Sequence, residues 1–361
     1  MMGVRIGIDC RKIADFGIGT YVRGLVSALI ATEGEERFVL FAPAEATSLI
    51  PPSPRIDVIE ESTPGYSFRE PVVLGRKAAK AKLDLFHAPH YVVPLTDLPL
   101  VVTIHDLIHL RSGREARGPL APLYARFMIG RAVRRARRIL TVTDAVRRDI
   151  ESHFPASRGK IAVTPNGIDE TFRRSLTPEE IEETARRYGT KAGRYFLFVG
   201  NDKPHKNVER LVEAFRRLGA ERGWDLVLAG APMERFASGH VRTAGFVPEG
   251  DLAALYRGAI ALVQPSLHEG FGLPVAEAMA SGTAVLIARE PALEEVAGDA
   301  SLVFDPASVE EIAEAMVKAG EDATLRARLA ARGIVEARRF TWSQCAETTL
   351  AIYRDLLRGR R

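Results

Sequence analysis

Short apolar runs alternate with amphipathic stretches along the first half of the chain. The apolar runs predict buried strands at residues 4–9, 38–41, 55–59, 83–87, 100–104, 139–142 and 160–163. Helical spacing of apolar residues follows the turn at Gly17 and Gly19, and it recurs at 123–138 and 144–152. This alternation implies a mainly parallel sheet covered by helices on both faces.

The second half repeats this design without obvious repetition of the sequence. Strands are predicted at 195–199, 226–229, 241–247, 260–264, 283–287 and 301–304, and helices at 208–219, 250–256, 275–280, 293–296, 309–318, 323–340 and 343–358. The turn Pro165-Asn166-Gly167 and the polar stretch 169–183 separate the two series, so we place the linker there. We therefore expect an α/β protein with two Rossmann-like lobes, 1–170 and 171–342.

The composition fits two domains with sizeable cores: 361 residues, 46% hydrophobic and 27% charged. Two cysteines, Cys10 and Cys345, exclude a disulfide framework and suit a reducing compartment. The first residues show no secretory signal, and no apolar run approaches the length that spans a bilayer. These features predict a cytoplasmic protein.

Positive charge is concentrated in one segment, which begins at Arg111 and ends at Arg148. Its eleven arginines against Glu115 and Asp144 give +9, whereas the whole chain carries +4, so the remainder carries about −5. Such asymmetry indicates an anionic partner: a membrane surface, a lipid-phosphate or polyphosphate acceptor, or nucleic acid. An arginine-rich, solvated helix face explains it equally well.

The stretch QPSLHEGFGLPVAEAMASG, at 264–282, has the order strand, glycine loop, helix. Pro274 suits the start of a helix, and Gly282 suits a left-handed cap at its end. Free backbone N–H groups at a helix N-terminus bind phosphate, and glycine allows a close approach. Glu269 and Glu277 flank this anion site and would accept hydrogen bonds from neutral hydroxyls. The stretch therefore predicts a sugar-nucleotide site.

A second loop of this kind, VGNDKPHKN, closes the first strand of the second lobe and precedes a helix. It combines the flexible Gly200 with Lys203, His205 and Lys206 at a helix N-terminus, a natural diphosphate site. A solvated basic helix start is the alternative.

In the first lobe, polar or glycine residues follow two predicted strands. Gly17 and Gly19 lie after the first strand but lack the spacing of a dinucleotide fingerprint, so they indicate either a phosphate approach or a simple turn. His105 follows the strand at 100–104, where this fold class places cleft residues. It would hydrogen-bond a sugar hydroxyl or stabilise developing charge, unless Asp106 or His109 satisfies it locally.

Together these motifs closely resemble the retaining glycosyltransferases called group 1 or family 4, which have the GT-B fold. The family pattern of two glutamates separated by seven residues is present as Glu269 and Glu277 within EGFGLPVAEAMA. GIDCRK, GIGTYV, TIHDL, VTPNGID, VGNDKPHKN and EVAGDA extend the resemblance over nearly the whole chain. It is closest to bacterial members that use nucleotide-activated mannose and related sugars to build surface polysaccharides.

The resemblance implies two parallel sheets facing a central cleft, with the C-terminal helix, 343–361, returning to the acceptor-side first lobe. It implies transfer of a hexosyl unit from a GDP- or UDP-linked sugar to a glycan or lipid-linked acceptor. The anomeric configuration would be retained. The enzyme would be cytoplasmic, with peripheral contact at the inner membrane face through the basic segment, and nucleic acid is not expected as a partner.

The resemblance also implies roles for single residues. His105, Lys206 and Glu269 match the reaction centre: His105 near the sugar, Lys206 at the departing diphosphate, and Glu269 on the sugar hydroxyls. The positions that match donor-binding residues are Gly17, Gly19, Asn201, Lys203, His205, Gly270, Phe271, Gly272, Leu273 and Glu277, the last at the ribose.

One position departs from the family pattern, because Asn201 stands where many members carry an arginine. Lys203 and His205 would replace part of that charge, although an ammonium does not reproduce a bidentate guanidinium. No Asp-x-Asp motif is present, so we expect neither a metal nor a further cofactor. The alternative functions are a sugar-nucleotide epimerase of the same two-lobed fold, a dinucleotide dehydrogenase and an exported solute-binding protein. The incomplete glycine fingerprint disfavours the dehydrogenase, and the missing signal disfavours the binding protein.

Overall fold

A computed structural model of the chain describes residues 3–63, 69–111 and 121–358. The chain divides into two compact units, Met1–Gly167 with Thr341–Arg361, and Ile168–Phe340.

Strands and helices alternate along both units. In the first they are β1 (Arg5–Asp9), α1 (Ile18–Ala31), β2 (Arg37–Ala42), β3 (Ile56–Glu60), α2 (Glu70–Lys80), β4 (Leu85–Ala88), β5 (Leu100–Thr103), α3 (Ile108–Arg111), α4 (Ala121–Arg135), β6 (Arg138–Thr141), α5 (Asp144–His153) and β7 (Ile161–Val163). In the second they are α6 (Pro178–Arg187), β8 (Tyr195–Gly200), α7 (Val208–Arg217), β9 (Asp225–Gly230), β10 (Val241–Gly245), α8 (Glu249–Gly258), β11 (Ala261–Gln264), α9 (Leu273–Ala280), β12 (Val285–Ala288), α10 (Pro291–Ala297), β13 (Ser301–Phe304), α11 (Val309–Glu321) and α12 (Ala323–Ala337). The last helix, α13 (Trp342–Arg358), belongs to the first unit.

The first unit contains a parallel sheet in the order β3-β2-β1-β4-β5-β6-β7. Successive residues of a strand point to opposite faces, and both faces are covered. Leu40 packs in the core shared with α1, whereas its neighbours Val39 and Phe41 pack in the core shared with α4. The continuous apolar runs of these strands therefore reflect burial on both faces.

The C-terminal helix α13 packs on α1. Cys345, Ala346, Leu350 and Tyr353 are buried in the same core as the apolar face of α1. Trp342 seats the beginning of α13, because its ring and backbone lie where a Cβ on Gly24 or Gly167 would be. The predicted return of the C-terminal helix to the first lobe is thus confirmed.

The second unit contains a parallel sheet in the order β10-β9-β8-β11-β12-β13. Consecutive strands β8, β9 and β10 run to one edge, and the chain then crosses to β11 on the other side of β8. This reversal places the carboxyl ends of β8 and β11 side by side at a topological switch point, where open α/β sheets bind ligands. With two parallel sheets and their covering helices, the predicted α/β fold class is confirmed.

The polar stretch 169–183, where we placed the linker, contains part of a helix and no strand. Helix α6 begins at Pro178, inside that stretch, and the whole stretch lies in the second unit. The Thr177 side chain accepts from the backbone N–H of Glu180, whose carboxylate accepts from the N–H of Thr177. This capping box starts a helix in a sequence with few apolar residues.

Candidate active site

An ion pair joins the two loops that follow β8 and β11 in the second unit. Lys206 Nζ lies 2.7 Å from Glu269 Oε1, and both side chains are largely buried, with 14% and 9% of their surfaces exposed. Lys206 is held by one turn of 3-10 helix, Pro204–Lys206, which follows the β8 loop. The His205 carbonyl accepts from the N–H of Leu267, so the two loops are also joined through their backbones.

A second donor fixes the same carboxylate oxygen. Gln264 is fully buried at the end of β11, and its Nε2 donates to Glu269 Oε1 at 3.0 Å and to Ser266 Oγ at 2.9 Å. Burial opposes ionisation of Glu269, but the charge and hydrogen bond of Lys206 outweigh it, so the pKa of Glu269 is lowered. Glu269 is therefore an ionised carboxylate with one oxygen already occupied.

The glycine loop before α9 has the backbone geometry that the sequence indicates. Gly272 has φ +84°, and a Cβ there would lie 2.5 Å from Leu293 Cδ2, so the position requires glycine. Helix α9 begins at Leu273, so Pro274 is its second residue, whereas we predicted it as the first. Gly282 (φ +74°) donates to Met279 O, and Thr283 donates to Ala278 O, which confirms the left-handed cap as a complete Schellman motif.

This loop presents backbone donors and no charged side chain. Within the described part of the chain, no acceptor pairs with the N–H groups of Phe271, Gly272 or Leu273. Only the backbone of Phe271 is available to a ligand, because its ring is buried against Phe340 with centroids 5.1 Å apart. Gly270 precedes these three residues in the same loop. Adjacent amides at the positive end of a helix form an anion-binding nest.

Glu277 lies in the second turn of α9, which begins at Leu273. Tyr256 Oη, from α8, donates to its Oε2 at 2.9 Å. Burial raises the pKa of Glu277 to about 7, and the charges of Glu249 and Asp169 act in the same direction. The Tyr256 hydrogen bond only partly offsets them, so Glu277 changes charge near neutral pH.

Glu290 is a buried acid that the sequence analysis missed. It lies two residues beyond the end of β12, and its carboxylate caps α10 by accepting from the N–H groups of Ala292 and Leu293 at 2.9 and 3.0 Å. Burial raises the pKa of Glu290 to about 7, with a further contribution from the charge of Glu269. A hydrogen bond from the Glu269 backbone opposes that rise, so Glu290 also anchors the loop that precedes α9. The sequence feature that could have indicated this capping residue is an acidic side chain just before Pro291.

Three more residues that we predicted to bind the nucleotide-sugar donor lie in the loop after β8, namely Asn201, Lys203 and His205. Asn201 Oδ1 accepts from the N–H of Lys203 at 3.2 Å, which makes it a turn residue. Lys203 is exposed, whereas the His205 side chain is mostly buried. Asn207, with φ +58°, ties the loop to its neighbours by donating to Pro265 O and Pro306 O at 3.0 and 2.8 Å.

In the first unit, the two predicted glycines lie where α1 begins. Gly17 has φ +59° and caps the helix, and Gly19 lies inside its first turn. A Cβ on Gly19 would lie 2.6 Å from Ile13 O, so close backbone approach explains this glycine. Gly17 has open space where a Cβ would be, which leaves its backbone accessible to a ligand.

His105 lies two residues beyond the end of β5 and is partly buried. Its Nε2 lies 3.0 Å from Pro89 O, and since a carbonyl only accepts, Nε2 carries the proton. Burial lowers the pKa of His105 to about 4 despite the nearby charge of Asp106. Asp106 caps Ile108 and is not hydrogen-bonded to His105. His105 is thus a neutral imidazole whose Nδ1 has no partner within the described residues.

A buried charge cluster beside the end of β1 was also missed. Arg11 bridges Asp9 and Glu70 with Nη2–oxygen distances of 2.6 and 2.7 Å, and His90 Nε2 lies 3.0 Å from Asp9 Oδ2. The motif GIDCRK could have indicated this cluster, because the acidic Asp9 and the basic Arg11 come at the end of an apolar strand.

Comparison with known proteins assigns the fold to a family. The family model described as "Glycosyl transferases group 1" matches residues 180–335, and the model described as "Glycosyltransferase Family 4" matches residues 17–172. A D-inositol 3-phosphate glycosyltransferase of Kineococcus radiotolerans is 30% identical over 298 residues, which cover 73% of this chain and 68% of that protein. The chain belongs to the group 1 glycosyltransferases.

Two further proteins resemble this glycosyltransferase along almost its whole length. The O-antigen chain mannosyltransferase B of Escherichia coli is 29% identical over 368 residues, covering 94% of this chain and 96% of that protein. The structure of Anabaena Alr3699/HepE in complex with UDP and glucose superposes with a TM-score of 0.78 at 17% identity, covering 98% and 100% of the two chains. At that identity the superposition shows the shared fold, GT-B.

The family assignment decides between the functions considered from the sequence. The chain is a glycosyltransferase, and the comparisons give no support to the epimerase alternative. Within 3–63, 69–111 and 121–358, no helix is both long and apolar enough to cross a membrane. The expectation that catalysis needs no metal stays a prediction.

Proposed function

We propose that this glycosyltransferase moves a hexosyl unit, mannose or a similar sugar, from a nucleotide-diphosphate sugar to an acceptor hydroxyl with retention of configuration. The observation that carries the proposal is the buried Lys206–Glu269 pair, 2.7 Å apart, beside the unpaired amides of the α9 loop. A cation and backbone donors bind an anion, while an ionised carboxylate binds hydroxyls. A diphosphate bonded to a sugar carries both groups at adjacent positions.

The diphosphate binds to the N–H groups of Phe271, Gly272 and Leu273 and to Lys206. One of the three Nζ hydrogens of Lys206 is used by Glu269, so two remain for phosphate oxygens. Negative charge builds on the diphosphate as the anomeric bond breaks. A fixed cation and fixed dipoles then stabilise the transition state more than the ground state.

The sugar hydroxyls bind to the lone pairs of the Glu269 carboxylate that Lys206, Gln264 and Ser266 leave free. These three donors restrain Glu269, and its negative charge is already paired, which suits a hydrogen-bond acceptor better than an attacking nucleophile. The acceptor therefore approaches on the side of the departing phosphate, which takes up the acceptor's proton. This course retains the anomeric configuration without a covalent sugar–enzyme intermediate.

Glu277 binds the ribose hydroxyls. Tyr256 occupies one carboxylate oxygen and leaves the other for the ligand. Ribose hydroxyls donate more strongly to a carboxylate than to a carboxylic acid. Because the pKa of Glu277 is about 7, nucleotide binding should draw it toward its ionised form.

His105 acts at the sugar as a hydrogen-bond acceptor. Its Nε2–H donates to Pro89 O, so Nδ1 presents a lone pair to a sugar hydroxyl. Gly17, next to the open space at the start of α1, would face the phosphates with its backbone.

Two similarities bear on the donor. The E. coli relative is a mannosyltransferase, which supports mannose as the transferred sugar. The Anabaena structure with the same fold holds UDP and glucose, which supports a nucleoside diphosphate leaving group. GDP-mannose and UDP-glucose are therefore the first donors to test.

A lipid-linked acceptor at the membrane face is proposed from helix α4. Leu123 and Phe127 lie one turn apart and are 66% and 59% exposed, and Arg126 and Arg134 are exposed on the same helix. Exposed apolar side chains among arginines favour an anionic membrane surface. Residues 112–120 of the basic segment lie outside the described residues.

Cosedimentation with phosphatidylglycerol vesicles at low salt tests this contact. Leu123→Ser with Phe127→Ser should release the protein, whereas Val335→Ser, at an equally exposed apolar position on α12, should not. Equal binding of both variants would remove the proposed contact.

The transferase proposal is tested by incubating the protein with GDP-mannose, UDP-glucose and related donors. Release of nucleoside diphosphate is followed with and without candidate glycan acceptors, and the anomeric proton of the product is assigned by NMR. Acceptor-dependent release with a retained anomeric configuration supports the proposal. A product with inverted configuration would contradict the retaining course. A melting temperature that none of the donors raises would contradict the donor site.

A further inference from the structure

A series of buried side chains, linked by hydrogen bonds and called the polar chain below, runs from the C-terminal helix toward His105. Tyr353 Oη, on α13, is hydrogen-bonded to His87 Nδ1 on β4. His87 Nε2 lies 2.8 Å from Thr103 Oγ1 on β5, which lies 3.0 Å from Tyr21 Oη on α1. Four elements of the first unit thus meet through polar atoms inside its core.

All four side chains are completely buried, and all are uncharged. Burial lowers the pKa of His87 to about 3 and raises the pKa values of Tyr21 and Tyr353 well above 10. Each neutral group therefore supplies one hydrogen. Four hydrogens serve three hydrogen bonds, so they can point from Tyr353 toward Tyr21 or in the reverse direction, and in either case the last hydroxyl keeps one hydrogen that the polar chain does not use. Removing one hydroxyl leaves its neighbour without a partner in a site with no access to water.

The polar chain ends against His105. The ring of Tyr21 meets the His105 ring edge to face, with centroids 4.7 Å apart and an interplanar angle of 78°. His105 is also held by the hydrogen bond from its Nε2 to Pro89 O. That bond fixes the Nε2 end of the imidazole, and the Tyr21 ring packs against the same imidazole. The orientation of the Tyr21 ring depends in turn on its hydroxyl.

We propose that Tyr353 is a positioning residue for His105, acting through His87, Thr103 and Tyr21. The inference rests on the proposed role of His105 at the sugar. Helix α13 therefore does more than cover the core of the first unit, because its Tyr353 forms one end of the polar chain that orients the His105 imidazole. Tyr353 itself contacts neither substrate nor the reacting atoms.

The test is a double-mutant cycle on donor-dependent release of nucleoside diphosphate, using the donor that supports release. Tyr353→Phe alone should lower kcat roughly fivefold with little change in the donor KM, about the effect of one neutral hydrogen bond. In a His105→Ala background, Tyr353→Phe should lower kcat no further, since its effect passes through His105. Thr103→Val, an isosteric break in the middle of the polar chain, should behave in the same way.

Tyr195→Phe is the matched control. Tyr195 is equally buried, and its hydroxyl donates a single hydrogen bond to Leu255 O at 2.6 Å in the second unit. Its loss should shift the melting temperature about as much as Tyr353→Phe while leaving kcat unchanged. Equal kcat values for the two tyrosine variants, or a full fivefold loss persisting in the His105→Ala background, would overturn the inference.

A readout without substrate separates this inference from the proposed function. The His105 ring Cε1–H signal is identified by its absence in His105→Ala and followed by NMR in uniformly histidine-labelled protein. Tyr353→Phe should shift this signal, whereas Tyr195→Phe should not. An unshifted signal overturns the positioning role. A shifted signal together with normal turnover in His105→Ala would instead sink the proposed function of His105, and the catalytic part of the inference with it.

Discussion

Glu277→Gln should make the free protein more stable at pH 8 and leave its stability at pH 5 almost unchanged. The folded protein holds the Glu277 proton with a pKa of about 7, against an ordinary value of 4.5. Between those values the folded state binds more protons than the unfolded state, so stability is lost as pH rises through this window. Glutamine keeps an acceptor for Tyr256 and never ionises, so the variant avoids this loss.

The magnitude follows from the size of the shift. A displacement of 4.5 to about 7 corresponds to about 3 kcal/mol at most, and partial exposure of Glu277 reduces it to about 2 kcal/mol. For a unit of this size the melting temperature should rise by roughly 5 °C at pH 8. Differential scanning calorimetry of the ligand-free protein at both pH values measures it.

The control is Glu314→Gln, which removes an exposed carboxylate on α11 of the same unit. It should leave the melting temperature unchanged at both pH values. Isothermal titration should show weaker donor binding by Glu277→Gln, because an amide accepts a ribose hydroxyl less strongly than a carboxylate. A melting temperature shifted equally at pH 5 and pH 8, or lowered at pH 8, would refute the account of Glu277. Unchanged donor affinity would remove its ribose role.

Two further predictions concern the donor loop. Gly272→Ala should destabilise the protein by more than about 1 kcal/mol and abolish donor binding, because φ +84° and the contact at 2.5 Å with Leu293 both oppose a Cβ. Gly239→Ala, with φ +55° and open space, isolates the backbone cost, and equal melting temperatures for the two variants would contradict the steric part. Gln264→Leu should lower kcat about tenfold, measured by nucleoside diphosphate release, because it removes one of the two donors that hold Glu269 Oε1. Unchanged kcat would show that Lys206 alone fixes the carboxylate.

The sequence predicted the central strands β4, β5, β11 and β12 well because each is a short run buried on both faces, and the partly exposed edge strand β3 was still marked by Ile56, Val58 and Ile59. It also located the glycine loop before α9 and the cap that follows the helix, since Gly272 and Gly282 are required there by local backbone geometry. Local geometry of this kind is encoded within a few residues. The capping box at Thr177 and Glu180 is equally local, and α6 was missed because its apolar periodicity is weak.

What the sequence could not show are contacts between distant positions. Glu290 joins the site only because β12 lies beside β11 in the sheet, so that two strand ends meet. The hydrogen bond between His87 and Tyr353 joins residues 266 positions apart. Neither a period nor a motif records such a pairing, because it depends on how the elements pack.

The central claim, that the Lys206–Glu269 pair belongs to the donor site, is tested most directly by Lys206→Ala. Nucleoside diphosphate release should fall at least about a hundredfold, because the cation that stabilises the departing diphosphate is lost. Lys160→Ala, which removes a partly buried lysine bonded to the Val133 carbonyl, is the control and should retain the wild-type rate. A Lys206→Ala variant that folds and releases nucleoside diphosphate at the wild-type rate would contradict the claim.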